Sequence, residues 1–185
     1  MEEAGRRPDQ PAAFEQVVLP HLDAAYNLAR SLVRNPHDAE DIVQESYLRA
    51  FKFFGSYQGG DARGWVLKIV RNTSYSFLEK HRPAGLSEEF NEEVHTTGTD
   101  QPDAEALVLQ AADSRAVREA LDQLPLNFRE VLILRELEGM SYKEIADVTG
   151  VPIGTVMSGL ARGRGQLRER LLRSRGTEVQ RGLRK

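Results

Sequence analysis

Apolar residues recur at helical spacing along almost the whole chain, and no stretch of five or more residues alternates like a half-buried strand. The expected fold class is therefore all-α. A first helix is predicted over residues 12–33, with Phe14, Val17, Val18, Leu22, Ala25, Leu28, Ala29 and Leu32 inward and a bend at Pro20. Asn35-Pro36 ends it. A second helix over residues 38–54 places Ala39, Ile42, Val43, Tyr47, Ala50, Phe51 and Phe54 on one stripe. After a loop closed by Gly59-Gly60, a third helix opens near Asp61, which can cap it. It runs to about residue 80 with Trp65, Val66, Ile69, Val70 and Phe77 inward.

The pattern then lapses. Residues 83–102 contain Gly85, Gly98 and the Thr96-Thr97 pair but few large apolar side chains, so this stretch cannot bury enough surface to fold by itself. Helical periodicity resumes at about 103–124, 126–138, 141–148 and 153–173. The prediction is two small helical domains, residues 1–82 and 104–185, joined by a flexible acidic linker over 83–103.

Composition agrees with two modest cores: 185 residues, of which 40% are apolar. The absence of cysteine excludes disulfide and thiol chemistry. No run reaches the ~20 apolar residues of a membrane span, so no membrane segment is expected. The N-terminus lacks the apolar core of a secretory signal, and the cytoplasm is the expected compartment.

Net charge is −3, which argues against a nucleic-acid partner until it is mapped along the chain. From residue 49 to 82, seven basic residues (Arg49, Lys52, Arg63, Lys68, Arg71, Lys80, Arg82) face only Asp61 and Glu79. From 83 to 114 there are eight acidic residues and no Lys or Arg. From 151 onward nine basic residues face only Glu169 and Glu178. Two basic surfaces flank an acidic connector.

Residues 142–161 have helix-turn-helix spacing: Ala146, then Gly150 four positions later, then Val156 six further on. A small residue lets two helices cross closely, a glycine takes the positive-φ turn position, and an apolar residue packs the second helix on the first. Ile145, Val148, Val151 and Leu160 complete the small core, and Ser141 with Glu144 forms a capping box. An ordinary helical hairpin with a glycine turn would show a similar pattern, but the arginines downstream favour DNA. With Val156, Leu160, Leu167 and Leu171 inward, Thr155, Met157, Ser158, Ala161, Arg162 and Gln166 remain outward, where a major groove could be read. Arg164, Arg168 and Arg173 could neutralise phosphates.

On the third helix, Lys68, Arg71, Asn72 and Tyr75 are spaced to line one side. Cations for phosphates, an amide for a base edge and a ring for an exposed base face suit single-stranded or melted DNA, although a merely soluble face could also carry them. On the second helix, Asp41, Gln44, Glu45 and Leu48 form an outward strip suited to a helical partner.

Residues 38–51 (DAEDIVQESYLRAF) and 59–72 (GGDARGWVLKIVRN) resemble sigma region two of the extracytoplasmic-function group of bacterial RNA polymerase sigma factors, in the sigma-70 family. Residues 124–132 (LPLNFREVL), 139–146 (GMSYKEIA) and 154–158 (GTVMS) resemble region four. The resemblance covers residues 14 to 172, and two ordered motifs on either side of a linker are more specific than either alone. It implies a factor that directs polymerase core to promoters and helps melt the minus-ten element. Asp41, Gln44, Glu45 and Leu48 would dock on the clamp coiled-coil. Asn72 would hold a flipped minus-ten base, with Tyr57, Arg63, Lys68, Arg71 and Tyr75 beside it. Thr155, Met157, Ser158, Ala161, Arg162, Arg164 and Arg168 would serve the minus-thirty-five element. The polymerase flap and an anti-sigma factor are implied partners, and the acidic linker would thread the positively charged RNA exit path.

The chain departs from the family pattern at Gly159, where Arg usually follows the recognition-helix Ser, at Gly163 and Gly165, and at Gln58. Three helix-interior glycines cost roughly 3 kcal/mol relative to Ala before packing compensates. Gly163 lies on the inward stripe and can permit close packing, whereas Gly159 has no such reason in the pattern. On that reading, arginine at 159 would tighten minus-thirty-five binding.

Two other classes compete. An enzyme or metalloprotein could use His21, Asp23, His37, Asp38, Glu40 and Asp41, but polar and acidic residues belong at a helix start in any case, and neither a phosphate-cradling loop nor a zinc motif occurs. No catalytic residue, metal or cofactor is expected. A dimeric helix-turn-helix regulator would bind palindromic duplex without polymerase.

Overall fold

The computed structural model describes residues 10–81 and 114–182. Of these, 10–81 belong to one compact unit and 114–145 with 151–182 to a second, the run Ala146–Gly150 being grouped with the first. All regular structure among the described residues is helical. The linker, and residues 103–113 of the helix expected there, lie outside the described residues.

In the first unit the expected long bent helix is two helices, α1 (Gln10–Val18) and α2 (Leu22–Val33), separated by a 3₁₀ turn over Leu19–His21. Pro20 has no N–H, and its ring obstructs the preceding turn, so the ladder tightens and Leu22 N–H donates to the Leu19 carbonyl. The tighter turn changes the helical phase between α1 and α2. Leu22, expected inward, opens α2 and is 45% exposed, while Ala25, Leu28, Ala29 and Leu32 are buried as expected.

Helix α3 (Pro36–Phe53) begins two residues earlier than expected. Asn35 Oδ1 accepts from His37 N–H at 2.9 Å, and Pro36 takes the first helical position, where a missing N–H costs nothing. Helix α4 (Ala62–Lys80) is capped by Asp61, whose carboxylate accepts from Gly64 N–H at 3.0 Å. Helices α2, α3 and α4 pack against one another around Leu28, Leu32, Ile42, Val66, Leu67 and Val70, all 2% exposed or less. Each such side chain contributes ~1.5–3 kcal/mol by leaving water. Ser46, Thr73 and Ser74 are also buried and donate to the carbonyls of Ile42, Ile69 and Val70, so their hydroxyls are satisfied within their own helices.

In the second unit, α5 (Ser114–Asp122) precedes α6 (Leu126–Leu132), which continues into a π turn over Ile133–Leu137, where Glu138 N–H donates to the Ile133 carbonyl at 3.1 Å. Arg129 is buried, its Nη1 lying 3.7 Å from Asp122 Oδ1 and donating to the Asp122 carbonyl at 3.4 Å, which ties α6 to the end of α5. The capping box forms as expected: Ser141 N–H donates to Glu144 Oε2 at 2.7 Å, and Glu144 N–H to Ser141 Oγ at 3.2 Å. Helix α7 (Tyr142–Thr149) ends at Gly150, whose φ of 75° is the left-handed geometry the turn needs. Helix α8 (Ile153–Gly182) runs nine residues past its expected end at 173, and no proline interrupts it.

Candidate nucleic-acid interface

Helix α4 carries the mixed basic, amide and aromatic face. At roughly 100° per residue, Lys68, Arg71, Asn72 and Tyr75 fall within a sector about 100° wide, opposite Val66 and Val70. Lys68 and Asn72 are exposed. Arg71 and Tyr75 are half-buried, with the guanidinium 4.4 Å from the ring centroid, so the cation and the ring hold each other in place. Arg63 does not share this face: five residues before Lys68, it lies about 140° around the axis.

Tyr57 precedes the helix in a loop bent by Gly59 and Gly60, both at positive φ. Its hydroxyl donates to the Gly60 carbonyl at 2.8 Å, and its ring lies 5.9 Å from Phe54 and 5.2 Å from Trp65. Trp65, expected inward, is only half-buried, and one turn of α4 separates it from Lys68. It is an aromatic neighbour of the candidate site that hydrophobic periodicity alone assigned to the core.

On α3, Asp41, Gln44, Glu45 and Leu48 are all exposed on one strip, Leu48 at 63%. Arg49 Nε donates to Glu45 Oε1 at 2.7 Å, so part of the strip's negative charge is compensated. Beside the strip runs an open groove of about 490 Å³ between α2 and α3, lined by Leu22, Tyr26, Val43 and Tyr47 with Asp23, Glu40 and Gln44. The Tyr47 hydroxyl donates to the Val18 carbonyl at 3.3 Å. Burial, and then the nearby Asp23 carboxylate, push its pKa up to about 12. Among the described residues no three metal-capable side chains cluster, and His37 pairs with Glu40 at 3.9 Å.

On α8, Val156, Leu160 and Leu167 are buried, and Thr155, Met157, Ser158, Ala161, Arg162 and Arg168 are exposed. Several positions differ from expectation: Gln166, expected outward, is half-buried, its carbonyl and Oε1 accepting from Arg170 Nη1, and Leu171, expected inward, is only half-buried. Arg164, expected as a phosphate contact, donates through Nε and Nη2 to Glu136 Oε1 at 2.9 and 2.6 Å, a pairing no local spacing signals because 28 residues separate the two. Gly159, for which the sequence offered no packing reason, is buried, and a Cβ there would lie 3.4 Å from Val131 Cγ2. A side chain at 159 therefore starts from the packed side of α8, and arginine there is no simple addition to the groove-facing surface. Gly163 is tighter, its added Cβ meeting Leu132 Cδ1 at 3.0 Å and Phe128 Cβ at 3.3 Å, whereas Gly165 faces open space.

Comparison with known proteins bears on both units. The family model Sigma-70 region 2 matches residues 17–83, and that of Sigma-70, region 4 matches residues 114–167. The ECF RNA polymerase sigma-E factor of Haemophilus influenzae is 32% identical over 153 residues, 78% of this chain and 79% of its own length. The chain belongs to the extracytoplasmic-function sigma factors of the sigma-70 family. The ECF RNA polymerase sigma factor SigE of Mycolicibacterium smegmatis is 37% identical over 167 residues, and this chain, 88% covered, spans 64% of that protein's length. Among solved structures, the sigma factor RpoE from Bartonella quintana, crystallised with the anti-sigma factor NepR, matches with a TM-score of 0.67 at 29% identity, covering 86% of this chain and 96% of RpoE. Matches over both units do not favour a free-standing helix-turn-helix regulator, which would be expected to share only the second. Among the described residues of this sigma factor, no helix is long and apolar enough to cross a membrane.

Proposed function

We propose that this sigma factor brings core RNA polymerase to specific promoters in the cytoplasm and helps open the minus-ten element, with no catalysis of its own. The observation that carries this reading is the α4 face, where exposed Lys68 and Asn72 stand beside the Arg71–Tyr75 stack. The cations serve the phosphates of a separated strand, and Asn72 has donors and an acceptor to offer an unpaired base edge. Tyr57 and Trp65 supply ring surface at the N-terminal end of the same helix. Arg63 is left to contact the flanking backbone.

The α3 strip around Leu48 suits a helical partner, here the clamp coiled-coil: an exposed apolar residue among Asp41, Gln44 and Glu45 supplies both an anchor and a polar rim. The exposed side of α8, from Thr155 to Arg168, enters the major groove of the minus-thirty-five element, while the polymerase flap holds the second unit. The acidic segment 83–103 connects the two along the RNA exit path. An anti-sigma factor, of the kind bound to RpoE in its co-crystal structure, would mask these surfaces when the factor is idle.

The test is transcription with purified core polymerase, in a panel of promoter fragments, with and without the chain. Promoter-dependent transcripts are expected only when it is present, and Asn72→Ala should lose transcript on linear duplex while recovering on templates already mismatched at minus ten. A chain that neither associates with core nor supports transcription contradicts the proposal.

A further inference from the structure

Phe128, Leu132 and Glu136 are spaced by four along α6 and its π turn, and two of them already meet α8 at Gly163. The next step of that ridge is Glu136, whose Oε1 accepts from Nε and Nη2 of Arg164. The pair is partly withdrawn from water, with side chains 29% and 33% exposed, so it is less screened than a pair on an open helix face.

Arg164 lies roughly 80° around α8 from buried Val156, and Arg168 about 40° further toward the exposed side. It thus sits on the flank of the helix, within reach of a DNA backbone if its side chain were released. We infer that Glu136 is a positioning residue for promoter recognition: it holds Arg164 as a strut between the π turn and α8, which fixes the helix against α6 and withholds one positive charge from the phosphates. The inference rests on reading α8 as the DNA-facing helix.

The pairing makes opposite demands on two substitutions. If Arg164 is a strut, Glu136→Gln releases its charge to the DNA, whereas Arg164→Ala removes a cation that was not neutralising a phosphate. The full chain is titrated with a labelled mixed-sequence duplex over a range of potassium chloride concentrations. Glu136→Gln is expected to steepen the slope of log affinity against log salt by about 0.9 and to tighten binding at low salt, while Arg164→Ala leaves the slope unchanged. Arg164→Lys should also keep the wild-type slope and restore part of the thermal stability lost in Arg164→Ala. A slope made shallower by about 0.9 in Arg164→Ala, with no change in Glu136→Gln, would overturn the inference and make Arg164 a phosphate contact.

A double-mutant cycle on the melting midpoint judges the strut without DNA. The double variant is expected to melt no lower than the worse single variant, and additive losses would overturn the inference. Were the wild-type chain to bind no duplex at low salt, the DNA-facing reading of α8 would fail, and the cycle would still decide whether Glu136 and Arg164 act as a unit.

Discussion

Replacing Gly159, Gly163 and Gly165 of α8 by alanine offers the same propensity gain three times, about 1 kcal/mol each, against three different surroundings. At Gly165 the new methyl group meets nothing within 4 Å, so Gly165→Ala should be stabilising by close to the full amount. At Gly159 it meets Val131 Cγ2 at 3.4 Å, an ordinary contact, so most of the gain should survive. At Gly163 it would stand 3.0 Å from Leu132 Cδ1 and 3.2 Å from Leu132 Cγ, with Phe128 Cβ at 3.3 Å. Leu132 is 2% exposed and has little room to retreat. Overpacking of this kind costs about 1–3 kcal/mol, which offsets the propensity gain and leaves Gly163→Ala destabilising by up to about 2 kcal/mol. For a domain of about 60–100 residues each kcal/mol moves the midpoint by roughly 4–8 °C. Thermal melts followed by far-ultraviolet circular dichroism should therefore rank Gly165→Ala above Gly159→Ala above wild type, with Gly163→Ala below it. Equal stabilisation at 163 and 165 would refute the reasoning, because it would mean the α6–α8 contact does not require the missing methyl group.

Leu48→Ala should weaken association with core polymerase by about tenfold, the loss of one interface anchor, while leaving the melting midpoint unchanged, since Leu48 is 63% exposed; a fluorescence titration against core checks both. Tyr47 carries a folded pKa of about 12 against roughly 10 when unfolded, so its contribution to stability is complete below about pH 10 and is lost as pH rises through about 12. Urea midpoints across that window should fall more steeply for wild type than for Tyr47→Phe. Ser141→Ala removes the hydroxyl that accepts from Glu144 N–H and should cost about 1 kcal/mol, measured by chemical denaturation.

The features legible in the sequence are those set by neighbours along the chain. Asp61 caps α4 and Ser141 with Glu144 caps α7, because capping depends on spacings of three residues or fewer. The outward strip of α3 and most of the α4 face follow from helical period alone, as does the exposed side of α8. What escaped depends on how helices approach in space. Leu22 is exposed because it borders the open groove between α2 and α3, Gly159 is buried because Val131 comes close, and Arg164 is paired because Glu136 arrives from another helix. Phe128, Leu132 and Glu136 at intervals of four did carry a trace of that last contact, but a charge at the end of an apolar ridge reads as a helix end until its partner is known.

The indole of Trp65 has a practical consequence. The chain contains one tryptophan, and it is packed 5.2 Å from Tyr57 and 6.4 Å from Phe54 at the N-terminal end of α4. Its emission is therefore an intrinsic optical reporter of the amino-terminal unit alone, unfolding included, and on the proposed reading of α4 a base extruded from the duplex would alter its brightness and colour.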